Sequence, residues 1–309
     1  TLAGQEANTT VAYYRDNGSG WSVTTANQNS LADGEYAFAA VVTDRAGNAD
    51  VTNYIYVTVD NTNPVAGTLS FVGLTDSGSS DTPNITTDNA FTLNIAGSSD
   101  ANGIDTTVYQ VSTNGGATWS TTTASQSGLA DGSYQFRAVV TDHAGNTATT
   151  AAISMVVDTT NPTAGSLTLG SYSDTGSDDT PDITTDNAFT LGTSGTTDTN
   201  GIESTVYEIS TDGGNTWNTT TTSQSALVDG SYQFRAVVTD HAGNTATTAA
   251  VSLIVDRTNP AAGTLSFANL DDSGSNDTPD ITTDNAFDLS LAGSSDANGI
   301  DTTVYQVST

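Results

Sequence analysis

Apolar and polar residues alternate along this chain in short runs, the period of half-buried strands. Between residues 61 and 158, Leu69 and Phe71 alternate on a first run, and Phe91, Leu93 and Ile95 on a second. Residues 108–111 make a third. A long run then places Tyr134, Phe136, Ala138 and Val140 on one face, and Ile153, Met155 and Val157 share a face of the last. Segments around Trp119 and Leu129 bring the number of strands to about seven, the number a two-sheet sandwich of this size requires. Turns rich in Gly, Asn, Asp and Ser separate the runs, and no stretch sustains a helical period. The expected fold class is all-β.

The pattern recurs. Asn63-Pro64, Asn161-Pro162 and Asn259-Pro260 lie 98 residues apart, as do Trp21, Trp119 and Trp217, and Asp60, Asp158 and Asp256. Residues 129–152 and 227–250 differ at one position, Ala130 against Val228. A period this long fits tandem sandwich domains rather than a solenoid. Complete repeats are expected at 61–158 and 159–256, with 1–60 the last part of a preceding repeat and 257–309 the first part of a fourth. On this reading the chain is an excerpt of something longer.

One segment narrows the kind of sandwich. The stretch Leu129-Ala130-Asp131-Gly132-Ser133-Tyr134-Gln135-Phe136 resembles the tyrosine corner of immunoglobulin-like domains, where a Tyr stands two residues before a core Cys. Here Phe136 takes the Cys place, and Trp119 is expected to cover it. The predicted architecture is a string of tandem immunoglobulin-like β-sandwich domains.

Charge changes the picture. The chain has 35 Asp and Glu against 5 Lys and Arg, a net charge of −30, and all five cations are arginines. Such a surface repels nucleic acid and anionic lipid and attracts cations. Self-repulsion of this size opposes compaction unless salt or bound metal relieves it. There is no cysteine, so no disulfide staples the domains. No apolar run is long enough to span a membrane.

Catalytic patterns fail one by one. Ser210-Thr211-Asp212-Gly213-Gly214-Asn215-Thr216-Trp217 matches the S-x-D-x-G-x-T-W pattern of the Asp-box hairpin found in sialidases, and residues 112–119 match it with Asn114 in place of Asp. Physically this is a tight turn in which Asp or Asn caps backbone N–H groups and Trp packs on the strand. His143 and His241 sit where the first repeat has Arg45, so they are expected to be exposed loop residues, not ligands or bases. The carboxylates lie in solvated loops, unlike an acid/base pair in an apolar cleft. The chain is not expected to be an enzyme.

The acidic loops are the informative feature. One class holds Asp76 and Asp81, repeated as Asp174 and Asp179. A second holds Asp100, Asn102 and Asp105, repeated as Asp198, Asn200 and Glu203 and again as Asp296, Asn298 and Asp301. A third holds Asp142 and Asn146, repeated as Asp240 and Asn244. Oxygen ligands on flexible, Gly-rich backbone suit calcium, which takes about 6–8 oxygens, and not zinc or copper. Strand alternation sharpens this. Asp76, Asp81, Asp131 (and its counterpart Asp229) and the outgoing Asp158 fall at one end of a sandwich. Asp198, Asn200, Glu203, Asp240, Asn244 and the incoming Asn161 fall at the facing end of the next. Asp60 with Asn61, and Asp256 with Asn259, mark the other linkers. Carboxylates of consecutive domains are thus expected to converge at each junction, where a cation turns repulsion into a bridge.

Together, Val-Asp-x-Thr-Asn-Pro, Asp-Thr-Gly-Ser-Asp-Asp-Thr-Pro-Asp-Ile-Thr and Asp-Gly-Ser-Tyr-Gln-Phe-Arg-Ala-Val-Val-Thr-Asp-His-Ala-Gly-Asn resemble the bacterial Ig-like repeats of giant biofilm-associated, type-I-secreted adhesins. The resemblance covers essentially the whole chain and is weakest at residues 1–10, where Gly4-Gln5-Glu6-Ala7 replaces the acidic loop. It implies secreted, cell-surface repeats that calcium stiffens between domains and that extend a distal ligand-binding region for adhesion or biofilm formation. The partners implied are calcium ions, neighbouring repeats and a host-cell or surface ligand held by other regions. The alternative is that the repeats themselves bind carbohydrate or cells, with exposed aromatics as the cue and Tyr172 as the candidate.

Overall fold

The computed structural model describes residues 9–78, 83–177, 181–271 and 282–308. Two compact units are distinguished, Thr1–Thr159 and Thr160–Thr309.

The first unit begins with a single sheet of β1 (Thr10–Asp16), β2 (Ser22–Thr24), β3 (Gly34–Thr43), β4 (Ala49–Val51) and β5 (Ile55–Val59). Its order is β2-β1-β3-β4, with β5 also paired to β3. A full sandwich follows: β6 (Thr68–Val72), β7 (Asn84–Thr86), β8 (Phe91–Ala96), β9 (Ile104–Ser112), β10 (Ser120–Thr122), β11 (Ser125–Gln126), β12 (Gly132–Asp142), β13 (Thr147–Thr149) and β14 (Ile153–Val157). One sheet runs β10-β9-β12-β14-β7 with β13 also on β12, and the other runs β11-β8-β6. All pairings are antiparallel except β7 with β14, where Asn84, Ile85 and Thr86 run alongside Met155, Val156 and Val157.

The alternation seen in sequence is the alternation of burial. Leu69, Phe91, Leu93, Phe136, Ala138, Met155 and Val157 form the core, and the even positions of β12 point into it. Three rings meet edge to face at its centre: Phe71–Phe91 at 5.0 Å, Phe91–Phe136 at 5.4 Å and Phe71–Phe136 at 6.0 Å. This edge-to-face packing fills the space a disulfide occupies in other sandwiches. The Tyr134 hydroxyl donates to Ala130 O at 2.8 Å, the tyrosine corner expected, and Tyr36 and Tyr232 do the same.

The second unit repeats these nine strands from Ser166–Gly170 to Val251–Val255, with Asp182–Thr184 parallel to Val251–Val255. Beyond them Thr264–Ala268 pairs antiparallel with Asp288–Ala292.

Three details depart from the sequence expectation. Among the described residues there are nine strands rather than about seven, because β7 and β13 are three-residue pieces too short to show a period. The segment near Leu129 pairs at β11, and Leu129 itself follows in a turn while packing against the core. Trp119 does not cover Phe136. Its ring lies under the Arg137 guanidinium at 4.2 Å, on the opposite face of β12, and its Nε1–H donates to Gly116 O at 3.0 Å. The hairpin that carries Trp119 folds over the outer side of the sheet, where odd-numbered residues of β12 point.

Candidate metal centre at the repeat junction

Each acidic loop adopts its shape through its own carboxylate. At the end of β12, Asp142 Oδ1 accepts the N–H groups of Ala144 and Asn146 at 2.8 and 2.9 Å, and Oδ2 accepts Asn146 Nδ2 at 2.9 Å. This is an Asx-type turn closed by Gly145, whose φ is +94°. Burial pushes the Asp142 carboxyl up, but the Asn146 side chain and the backbone N–H groups outweigh it and hold it below its ordinary value. In the loop before β9, Asp100 Oδ1 accepts the Asn102 N–H at 2.7 Å. The His143 N–H donates to Gly103 O at 3.3 Å, tying the two loops together.

The linker brings the third carboxylate. Asp60 follows β5, and its Oδ1 accepts the Thr62 N–H at 3.0 Å. Past Pro64, Val65 exchanges backbone hydrogen bonds with Ser99, the residue before Asp100. An oxygen from each of Asp60, Asp100 and Asp142 then lies within 4.8 Å of the others. Asn102 Nδ2 donates to Asp60 Oδ2 at 2.9 Å, and Asn146 Nδ2 to Asp60 O at 3.2 Å. Asp142 is buried, and Asp60 and Asp100 are half-buried. The partners they have are neutral amides and backbone N–H groups, so the three negative charges face one another.

A β-bulge decides which residues take part. Between β9 and β12 the register slips so that Asp142 faces Ile104 and Thr141 faces Thr106, which leaves Asp105 as the extra residue. Asp105 is exposed and stands outside the group, contrary to its expected role. The same slip in the second unit displaces Glu203. Glu203 Oε2 lies 3.2 Å from His241 Nδ1, against that ring rather than in the acidic group. His241 is accordingly half-buried, which corrects the expectation of an exposed loop residue, whereas His143 is exposed as expected.

Asp131 and Asp229 act on the linkers. Asp131 Oδ1 accepts both the N–H and the hydroxyl of Thr159, at 3.0 and 2.7 Å, and Asp229 Oδ2 accepts the Thr258 hydroxyl at 2.7 Å. Asp33 does the same for Asn61 and Thr62, taking the Asn61 N–H and Nδ2 at 2.8 Å each. These hydrogen bonds, that from Thr62 largest, hold the Asp33 carboxyl below its ordinary value. Asn61 is thus spent on this clamp. Asp33 was missing from the expected set, although its place before Gly34 matches Asp131-Gly132 and Asp229-Gly230 in the repeat.

In the second unit, Asn298 Nδ2 donates to Asp256 Oδ2 at 2.6 Å and the Asn298 N–H to Asp296 Oδ1 at 2.8 Å, as Asn102 does with Asp60 and Asp100. A cleft of about 310 Å³ is lined there by Asp256, Asp296, Asp301 and the Thr175-Gly176 segment that follows Asp174. Asp198 Oδ1 accepts the Asn200 N–H at 2.7 Å, and the buried Asp240 takes the Asn244 N–H and Nδ2 at 2.9 Å each. By sequence, Asp158, Asp198 and Asp240 are the counterparts of Asp60, Asp100 and Asp142. Asp158 is buried, and its N–H donates to Thr86 O at 2.9 Å. Asp76, Asp174, Asn161 and Asn259 are exposed. Asp81 and Asp179 lie outside the described residues.

The ligand atoms brought together at the junction are the carboxylate oxygens of Asp60, Asp100 and Asp142. That set fits a hard cation such as calcium and offers nothing to a thiophilic metal.

A family model described as a bacterial Ig-like domain matches residues 1–61, 64–159 and 161–257. No curated protein matches the chain. Among solved structures, the chain is similar to a Ca2+-stabilized adhesin that helps an Antarctic bacterium reach out and bind ice, at 21% identity over 84% of this chain and 72% of that one, with a TM-score of 0.35. It is similar also to a 1.5-MDa bacterial ice-binding adhesin, at 15% identity over 81% and 87%, TM-score 0.37. Fibronectin(III)-like modules of Clostridium thermocellum CbhA match at 12% identity over 60% and 93%, TM-score 0.29.

Proposed function

The chain belongs to the bacterial Ig-like domain family, and we propose that it is a stretch of calcium-rigidified extender repeats of a bacterial cell-surface adhesin. The observation that carries this reading is the meeting, within 4.8 Å, of Asp60 at the end of one repeat with Asp100 and Asp142 of the next. Two domains that each bring carboxylates to their linker repel one another until a cation neutralises them, and then the same charges become a bridge. Asp60, Asp100 and Asp142 would hold the ion, with Asn102 and Asn146 fixing their orientation. Bound calcium supplies the positive charge that locks the linker. The sequence repeats the same residue types as Asp158, Asp198 and Asp240, and again as Asp256 with Asp296.

The role is mechanical rather than catalytic: near-identical domains set reach by their number, and a distal region holds the ligand for adhesion or biofilm formation. Type I secretion would deliver the chain into calcium-rich medium outside the cell, where binding to the folded state alone drives folding. The test is calcium titration of the whole chain by calorimetry, with small-angle scattering before and after chelation. Saturable binding with a stiffer, longer particle in calcium supports the reading. Absence of binding, or dimensions and melting that ignore chelation, refutes it.

A further inference from the structure

The outer face of the first sheet differs from its counterparts in a coordinated way. In the later repeats this face is closed. The Arg137 guanidinium sits 4.2 Å from the Trp119 ring centre and its Nε–H donates to Gln110 Oε1 at 2.8 Å, and Arg235 lies 4.1 Å over Trp217 and pairs with Glu208 at 2.6 Å. Residues 98 positions earlier reverse every size. Arg137 and Arg235 correspond to Ala39, Gln135 and Gln233 to Ala37, Ser154 and Ser252 to Tyr56, and Ala152 and Ala250 to Tyr54.

The register places these on one face. Asp16, Ala37 and Tyr56 lie directly opposite one another across β1, β3 and β5, and Tyr14 lies opposite Ala39. Two alanines thus floor a trough whose walls are aromatic. Trp21, freed of its arginine, meets Tyr54 at 5.3 Å with the rings tilted 38°. Trp21 is 45% exposed, Tyr54 52% and Tyr56 78%. Asp16, Asn17, Glu35 and Thr58 lie beside Tyr56.

We propose that this face of the first repeat is a binding site for an uncharged carbohydrate. Exposed, tilted rings stack on the C–H face of a pyranose, as aromatic side chains with one wet edge do at recognition surfaces. The Glu35 carboxylate and Asp16 Oδ2 accept hydroxyl hydrogens at the rim, while Asp16 Oδ1 and Asn17 Oδ1 hold the turn through the Gly18, Gly20 and Ser19 N–H groups. The carboxylates and the chain's net charge of −30 exclude sialic and uronic acids. A polycation would be attracted anywhere on so acidic a surface and would need no trough, so the aromatic walls favour a neutral ring. The proposal goes beyond the extender reading: it assigns recognition to one repeat and leaves 61–256 as spacer. It also moves the candidate aromatic away from Tyr172, which is half-buried edge-on against Phe189 at 5.8 Å with its hydroxyl 3.3 Å from Asp182.

The test is an array of neutral and acidic hexose oligosaccharides probed with the whole chain, followed by titration of the strongest hit watched through tryptophan fluorescence. Binding to neutral hexose oligomers is expected. Y56A and A39R, the second restoring the arginine of later repeats, should each weaken it at least roughly tenfold, while W217F in the third repeat leaves it unchanged. Because Tyr56 is largely exposed, Y56A keeps the fold, and unaltered circular dichroism verifies this. The proposal is overturned if no neutral glycan binds, if only acidic glycans or oligolysine bind, if Y56A and A39R bind as the parent does, or if Y56A instead abolishes self-association of the chain in sedimentation.

Discussion

Replacing Asp100 by Asn removes one charge from the junction while keeping its shape, because the Asn side chain retains the oxygen that accepts the Asn102 N–H. The consequence has opposite signs with and without a cation. Asp100 takes part in two of the three close carboxylate pairs, each with oxygens no more than 4.8 Å apart. Two unit charges at that separation repel by about 0.9 kcal/mol in a water-like dielectric and about 3.5 kcal/mol at an effective dielectric of 20. Removing two pairs therefore relieves roughly 2–7 kcal/mol before salt screening, which brings the value toward the lower end. In EDTA, D100N should melt higher than the parent by on the order of 5–15 °C, since about 1 kcal/mol moves the midpoint of a domain this size by 4–8 °C. In calcium the order should invert, because a ligand has been lost. A site held at about 1,000 times its dissociation constant contributes about 4.1 kcal/mol, most of which the variant forgoes, and this exceeds the screened repulsion of about 2 kcal/mol. Differential scanning calorimetry of parent and variant, in EDTA and in calcium at matched ionic strength, reads both signs. If D100N is less stable in both conditions, Asp100 is only a turn cap and the junction is no cation site.

Other outcomes follow from the core and the turns. Phe136→Ala empties the centre of the edge-to-face cluster and should cost about 3–5 kcal/mol, read by denaturant unfolding; a loss below about 1 kcal/mol would contradict the packing described. Gly67→Ala places a methyl 2.5 Å from Ala96 O at a φ of +81°, so the linker-proximal turn should open and the domain should lose about 1–3 kcal/mol. Hydrogen bonds, first from the Thr216 hydroxyl and then from its N–H and Ser210, hold the Asp212 carboxyl down at about 2. Its folded value lies below the unfolded one, so this stabilisation is complete above pH ~4 and fades as pH falls toward 2. D212N, which copies Asn114 of the preceding repeat, should flatten that part of the acid-melting curve; an unchanged curve would show that the turn does not depend on the charge.

The repeat, the long strands and the tyrosine corner were legible in sequence because each is a periodic signal longer than its noise: Phe136, Ala138 and Val140 alternate on 11-residue β12. The convergence of Asp60, Asp100 and Asp142 was also legible, since strand alternation alone puts their loops at one end. What sequence could not give was which neighbour each loop residue finds. Asp105 and Glu203 look like ligands until one residue of register slip turns them outward. Asp131 and Asp229 look like ligands until the linker claims them. Trp119 reads as a cover for Phe136 because hydrophobicity does not say which side of a sheet a hairpin folds over; its ring instead lies under Arg137. Tyr172 carries no polar marking of its burial, yet burial first and then Asp182 push its hydroxyl up to about 12.

The parallel pairing of β7 with β14 governs what tension does to a domain. Once a pull on the incoming and outgoing ends of a repeat has drawn β6 off β8, it slides these two strands lengthwise, so their rungs share the load in shear instead of opening one after another like a zip. The Asp158 N–H to Thr86 O bond at 2.9 Å adds a rung at the outgoing end, and Asp256 to Thr184 repeats it one domain later. A domain wired this way yields only when several hydrogen bonds fail together, so it stays folded under loads that would unzip an edge strand.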